Sequence, residues 1–243
     1  MADPTQRAAI LRIRDLSPSV RELVLSPVER PIPFQPGQWI SLKLPVGERP
    51  PLVRAYSMAE PEASTGHLVL ALDRVPQGLG SGYLFTLTEQ DEVLLAGPYG
   101  NFMPPDPLQK DLLLIARYTG IVPIRCILRH LFRTTPTHRV TLVYGAPSRT
   151  ELIYHDEFVA LSEAQASFRY LPTTWGANDD RPERDARTNE EHRTEAELVR
   201  ALSAGRTDFS PMICGLKAFV RPLRAYFMEL GFDRKDVRVE TYD

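Results

Sequence analysis

Residues 111–132 read DLLLIARYTGIVPIRCILRHLF. An apolar run closes at Ala116, a short turn follows, and from Ile121 apolar residues recur at helical spacing, so the stretch reads as strand, turn and helix. That layout suits an anion, because small residues in the turn let backbone N–H groups approach a phosphate at the helix N-terminus. Arg117 and Tyr118 nevertheless stand where such a turn carries glycine. Downstream the same alternation continues: VTLVYGA is followed by ELIYHDEFVAL, FRYLPTT by TEAELVRALSA, PMICGL by FVRPLRAYFMELG, and VRVETY closes the pattern. Strand and helix in alternation predict a parallel sheet with helices on both faces, a doubly wound α/β domain.

Upstream of the linker-like NFMPPDPLQKD the character differs. AAILRIRDL, VRELVLSP, QWISLKLP, LVRAYSMA, HLVLALDRV and DEVLLAGP are short, rich in β-branched and aromatic residues, and separated by proline and glycine. They predict an antiparallel barrel or sandwich, with one helical interruption at GYLFTLT between the last two strands. The expected division is therefore 1–104 and 105–243. Residues 176–197, GANDDRPERDARTNEEHRTEAE, are dense in charges of both signs and read as a solvated loop leading into a helix. The other reading makes the loop's arginines a clamp for a ligand phosphate.

Composition narrows the function classes. The 243 residues are 43% hydrophobic and 25% charged, with a formal net charge of -2, which offers no global attraction to nucleic acid or an anionic membrane. The N-terminus has only a four-residue apolar stretch before Arg12, and no later run approaches a membrane span, so a cytoplasmic protein is expected. Cys126 and Cys214 are the two cysteines, too few for the four thiolates of a plant-type iron–sulfur cluster. No intrinsic metal centre is expected, and electrons passing through this chain need another carrier.

Four stretches carry candidate chemistry. In RAYS, residues 54–57, alternation puts Arg54 and Tyr56 on one face of a strand, a guanidinium to grip phosphate beside a ring to stack on a planar ligand. In QGLGSGYL, residues 77–84, glycines and Ser81 precede a helix, and Ser81 reads either as an N-cap or as part of a pyrophosphate cradle. The third stretch is the opening turn. The fourth pairs MICGL with the C-terminal VETYD, placing Cys214 and Gly215 at the end of a parallel strand, where doubly wound sheets bind ligands.

In this order the set resembles the ferredoxin–NADP(+) reductase superfamily over nearly the whole chain. Arg54-Ala55-Tyr56-Ser57 is similar to its R-x-Y-[ST] flavin motif, and Gly97 to Phe102 to its G-P-x-G-x-F end of the barrel. Thr119 to Pro123 resembles T-G-[IL]-A-P, Tyr144-Gly145 with Glu151 to Tyr154 resembles the next strand and helix, and Cys214-Gly215 resembles C-G. The resemblance implies an N-terminal antiparallel Greek-key β-barrel that binds FAD, followed by a doubly wound NAD(P)-binding domain. It further implies that Arg54 holds the FAD pyrophosphate together with Gly80 and Ser81, that Tyr56 stacks on the isoalloxazine, and that Ser57 hydrogen-bonds near flavin N5. Thr119, Gly120 and Cys214 would line the nicotinamide pocket, and Glu240-Thr241-Tyr242 matches a terminal Glu-x-Tyr whose ring covers the flavin. The implied activity is an FAD-dependent reductase taking hydride from NAD(P)H and passing electrons to a ferredoxin, a flavodoxin or an oxygenase component.

Two departures leave alternatives open. Bulk at Arg117 and Tyr118 keeps a pyrophosphate from the backbone, unless Arg117 replaces the lost amide contacts with its charge; a flavin module that no longer uses nicotinamide is the competing function. Where NADP-dependent relatives carry Ser-Arg, the chain reads Pro172-Thr173-Thr174-Trp175, leaving Arg149, Arg181, Arg184 and Arg187 as candidates for a 2'-phosphate and NADH against NADPH undecided.

Overall fold

The computed structural model describes residues 5–47, 50–61, 65–133, 136–175 and 194–242. The segment carrying Arg181, Arg184 and Arg187 lies outside the described residues. The chain divides into two units, Met1–Pro104 with Val122–Thr135, and Pro105–Ile121 with Pro136–Asp243.

The first unit is built on six antiparallel strands, β1 (Gln6–Asp15), β2 (Val20–Pro27), β3 (Trp39–Leu44), β4 (Leu52–Ser57), β5 (Leu68–Asp73) and β6 (Glu92–Tyr99), in the order β4-β3-β6-β1-β2-β5. A bridge between Met58 and Leu70 brings the two edges together at one point, so the sheet curls on itself. Its interior is one apolar cluster that includes Ile10, Leu23, Leu25, Ile40, Leu42, Leu44, Leu70 and Leu95. These residues recur at alternate positions because successive side chains of a strand point to opposite faces.

Helix α1 (Leu79–Leu84) lies between β5 and β6 as expected, but it starts three residues before the GYLFTLT stretch. Gly80 and Ser81 are therefore inside the helix and do not precede it. Helix α2 (Ile121–Leu131) packs largely with this unit: Cys126 joins its apolar cluster, and Arg125 donates to Ala59 O at 2.9 Å and pairs with Glu60 at 3.2 Å.

The second unit holds five parallel strands, β7 (Asp111–Arg117), β8 (Val140–Ala146), β9 (Phe168–Thr174), β10 (Phe209–Leu216) and β11 (Arg238–Tyr242), in the order β11-β10-β7-β8-β9. Helices α4 (Glu195–Ser203) and α5 (Lys217–Glu229) bury Val199, Val220 and Phe227 against Leu113, Ile115, Val143 and Ile213. Helix α3 (His155–Ala164) covers the other face, where Phe158 meets the rings of Tyr144 and Tyr170. Both faces are covered, which is why these strands read as nearly continuous apolar runs. Helix α3 begins four residues later than ELIYHDEFVAL, because Arg149–Glu151 form a separate 3-10 turn and Tyr154 takes φ 60 before the helix.

From β7 the order runs to β8 and β9 on one side and to β10 and β11 on the other. The reversal lies between β7 and β10, the topological switch point at which open α/β sheets bind ligands. Among the described residues no helix is long and apolar enough to cross a membrane.

Candidate functional site

In the first unit β4 presents the RAYS stretch opposite β3, with Arg54 facing Leu42, Tyr56 facing Ile40 and Ser57 facing Trp39. Arg54 is exposed, and its Nη1 donates to Val53 O at 2.9 Å. Tyr56 is half-buried, and that burial pushes its phenol up to about 12, so the ring stays neutral at physiological pH. Ser57 is buried at the strand end.

Gly80 meets this strand closely. A Cβ at position 80 would come to 3.0 Å from Leu52 Cδ2, 3.1 Å from Leu44 Cδ1 and 3.6 Å from Arg54 Cγ, so a bare glycine lets α1 lie against the stem of Arg54. RAYS and GLGSG are thus brought together. Ser81 takes a role that its sequence position did not reveal. The N-cap of α1 is Gly78, with no side-chain cap bond. The Ser81 hydroxyl instead accepts from Val75 N at 3.1 Å and reaches Val75 O and Gly78 O at 3.3 Å each, closing the loop before the helix.

In the second unit β7 ends at Arg117, Tyr118–Gly120 form a 3-10 turn, and α2 starts at Ile121. Tyr118 has φ 52, in the left-handed region that favours glycine. The turn therefore keeps a glycine-like backbone with a tyrosine in it. Gly120 explains part of the geometry: a Cβ there would overlap the carbonyl of Cys214 and come to 3.0 Å from Gly215 N. The turns after β7 and β10 touch backbone to backbone at the switch point, with Thr119 beside them.

Cys214 is fully buried, and its thiol donates to the Tyr242 hydroxyl at 3.4 Å. Burial pushes that thiol well above its ordinary range, so it is a neutral SH. Glu240 lies opposite Cys214 on β11, and burial raises its carboxyl to about 7. It is the one group of this set poised to hold or release a proton near neutrality.

Sequence reasoning missed the partners of Arg117. Its guanidinium pairs side-on with Glu195, Nε to Oε1 at 2.8 Å and Nη2 to Oε2 at 3.1 Å, across 78 residues of sequence. The guanidinium also sits 4.5 Å from the Trp175 ring centroid and 4.7 Å from that of Phe219. The Glu195 carboxylate occupies the space that a side chain at Gly145 would fill. One signal was legible: Thr194 and Glu197 form a capping box that fixes the start of α4, and so places Glu195 in its first turn. Its partner was not legible. Arg149, a candidate for a 2'-phosphate, is exposed in the 3-10 turn after β8.

The two sets differ in chemical capacity. The first offers a cation, a neutral ring and a buried hydroxyl to a planar, phosphorylated ligand. The second offers two glycine-lined turns, a neutral thiol and a carboxyl that titrates near 7.

Comparison with known proteins agrees with that division. Residues 8–103 match the oxidoreductase FAD-binding domain family, and residues 114–224 match the oxidoreductase NAD-binding domain family. The chain is 34% identical to ferredoxin–NADP reductase B of Sorangium cellulosum, covering 100% of this chain and 99% of that one. It is 34% identical to the reductase component of phenol 2-monooxygenase from a Pseudomonas species over 72% of this chain, but spans only 48% of that protein. Among solved structures it is similar to the cytochrome P450 reductase GcoB of Amycolatopsis, with TM-score 0.81 and 27% identity, over 99% of this chain and 71% of that one.

Proposed function

The chain belongs to the ferredoxin–NADP(+) reductase family, and on that premise we propose that it takes hydride from a reduced nicotinamide nucleotide and delivers electrons to a separate redox protein. Its two matched regions are FAD-binding and NAD-binding domains of an oxidoreductase. We assign residues 1–104 to flavin binding and 105–243 to nicotinamide binding. The observation that carries the reading is the contact at the switch point, where Gly120 lies against the Cys214 carbonyl and leaves two glycine-bearing turns side by side.

A bound flavin supplies the chemistry of accepting two electrons together and releasing them singly. The chain's own residues supply geometry and charge. Arg54 binds a phosphate of FAD, with Gly80 letting α1 close on its stem. Tyr56 offers the face of a neutral ring, and Ser57 a hydroxyl that orients the ligand edge. Thr119, Gly120 and Cys214 shape the nicotinamide pocket, and the neutral Cys214 thiol puts no charge beside it. Glu240 holds or releases a proton near neutral pH, and Tyr242 keeps Cys214 in place through its hydroxyl. The correspondence with a ferredoxin–NADP reductase along its whole length supports a ferredoxin as acceptor, with a flavodoxin or an oxygenase component as the other candidates.

The test is anaerobic addition of NADH or NADPH to the yellow holoprotein while flavin absorbance is followed. Rapid bleaching is expected, and mass spectrometry of the released cofactor is expected to give FAD. The second reading, a flavin-bearing module without nicotinamide chemistry, is favoured by the side chains at Arg117 and Tyr118. A persistent oxidised spectrum with both nucleotides would establish it.

A further inference from the structure

Arg117 stands at the C-terminal end of β7, beside the switch point, where the phosphates of a dinucleotide approach an open parallel sheet. Its surroundings are unusually complete. One edge of the guanidinium is taken side-on by Glu195, a residue only 1% exposed, and its carbon lies 4.5 Å and 4.7 Å from the ring centroids of Trp175 and Phe219. The side-on pairing uses Nε and one hydrogen of Nη2. Both hydrogens of Nη1 and the second hydrogen of Nη2 have no protein partner among the described residues, and the side chain keeps 35% of its surface. That remaining edge is the fork that takes two oxygens of a phosphate.

Mere packing is a poor account of this pair. Apolar residues of similar volume usually fill a buried site at no greater cost than an ion pair, which must be stripped of water. A guanidinium already fixed by a carboxylate and two rings also loses little freedom when an anion arrives. We propose that Arg117 binds a phosphate of the incoming nicotinamide dinucleotide in place of glycine amides, and that Glu195 is its positioning residue. The inference rests on the reading of the second unit as the nicotinamide-binding half. It also assigns a purpose to Gly145, whose missing side chain is the seat of the Glu195 carboxylate.

The test uses full-length holoprotein and two kinds of variant. Arg117→Ala alone strands a buried carboxylate, so Arg117→Met with Glu195→Gln removes both charges and keeps the fold testable. Gly145→Ala leaves both charged residues in place and displaces only the carboxylate. Dissociation constants for NAD+ and NADP+ are read by calorimetry on the oxidised protein, and KM and kcat with NADH and NADPH against ferricyanide. The double variant is expected to weaken nucleotide binding by roughly 10- to 100-fold and raise KM in step, with kcat little changed. Gly145→Ala is expected to move the same constants in the same direction by a smaller factor.

Equal losses for both nucleotides place the contact on the pyrophosphate and support the proposal; a loss confined to NADP+ places it on the 2'-phosphate, where no glycine amide is replaced, and overturns it. Unchanged or tighter binding in the double variant overturns it and leaves the pair as packing. A wild-type protein that binds neither nucleotide overturns this inference together with the proposed function, whereas a wild type that is bleached normally beside an unaffected variant overturns this inference alone.

Discussion

Arg54 and Arg117 each lie against a glycine, Gly80 in the first unit and Gly215 in the second, and they are held in opposite ways. Arg54 is exposed, donates to the carbonyl of its own neighbour, and faces no carboxylate among the described residues. Arg117 is clasped by a buried glutamate and two aromatic rings before any ligand arrives. On the roles proposed above, the contrast teaches that one residue type can serve a phosphate site in two ways. An uncompensated cation contributes more electrostatic attraction, whereas a pre-paired one contributes orientation at the expense of net charge. It also follows that the two arginines will fail differently when removed.

The largest effect is expected from Arg117→Ala as a change in stability. It leaves the Glu195 carboxylate buried and unpaired, which costs about 3 kcal/mol. Urea denaturation checks this, and adding Glu195→Gln is expected to restore most of the loss. If Arg117→Ala melts like the wild type, the pair contributes no more than an exposed one and the contrast with Arg54 collapses.

Arg54→Ala is expected to leave the stability of the apoprotein nearly unchanged, because the side chain is exposed and supports little packing. Its effect falls on the ligand: FAD retention weakens by about thirtyfold as a charge-assisted phosphate contact is lost. The FAD-to-protein ratio after gel filtration measures it. A normal ratio would show that the cation of the first unit is as dispensable as any surface arginine.

The smallest effect concerns Glu240, which extends the theme of buried charge in the second unit. Its carboxyl is raised by burial from 4.5 to about 7, so as pH climbs through that window the unfolded chain loses its proton first. The stabilisation is present below 4.5 and is lost by about 7, because ionisation is then penalised only in the folded state. Relative to wild type, Glu240→Gln is expected to gain about 1 to 2 kcal/mol at pH 8, and nothing at pH 4. Thermal melts at the two pH values check it, and a gain independent of pH would place Glu240 in contact with solvent.

Much of this was legible from local pattern. The six short segments of the first half correspond to β1–β6, and the alternation after residue 105 to the five parallel strands and their helices. Cys214 and Gly215 do lie at the end of β10, against the turn that carries Gly120. The misplacements were at helix starts. Of the two readings of Ser81, the N-cap fails, because the backbone had already turned at Gly78 and left the hydroxyl to close the preceding loop.

What the sequence determined by itself was the kind and order of elements, since periods of two and of 3.6 residues and the positions of glycine and proline are local properties. It also determined the candidate cofactor residues, because RAYS, TGIVP and CG are contiguous motifs. Only the tertiary structure decided what holds Arg117. Read along the chain, an arginine and a tyrosine in a glycine's place look like a damaged turn. In three dimensions Tyr118 keeps the left-handed backbone, while Arg117 is met by Trp175 after β9, Glu195 at the start of α4 and Phe219 in α5. Those partners come from distant stretches of chain and are neighbours only because parallel strands deliver their C-terminal ends to one edge of the sheet. No sequence period encodes that convergence, and an ion pair between residues 78 apart has no signature until the sheet that joins them exists.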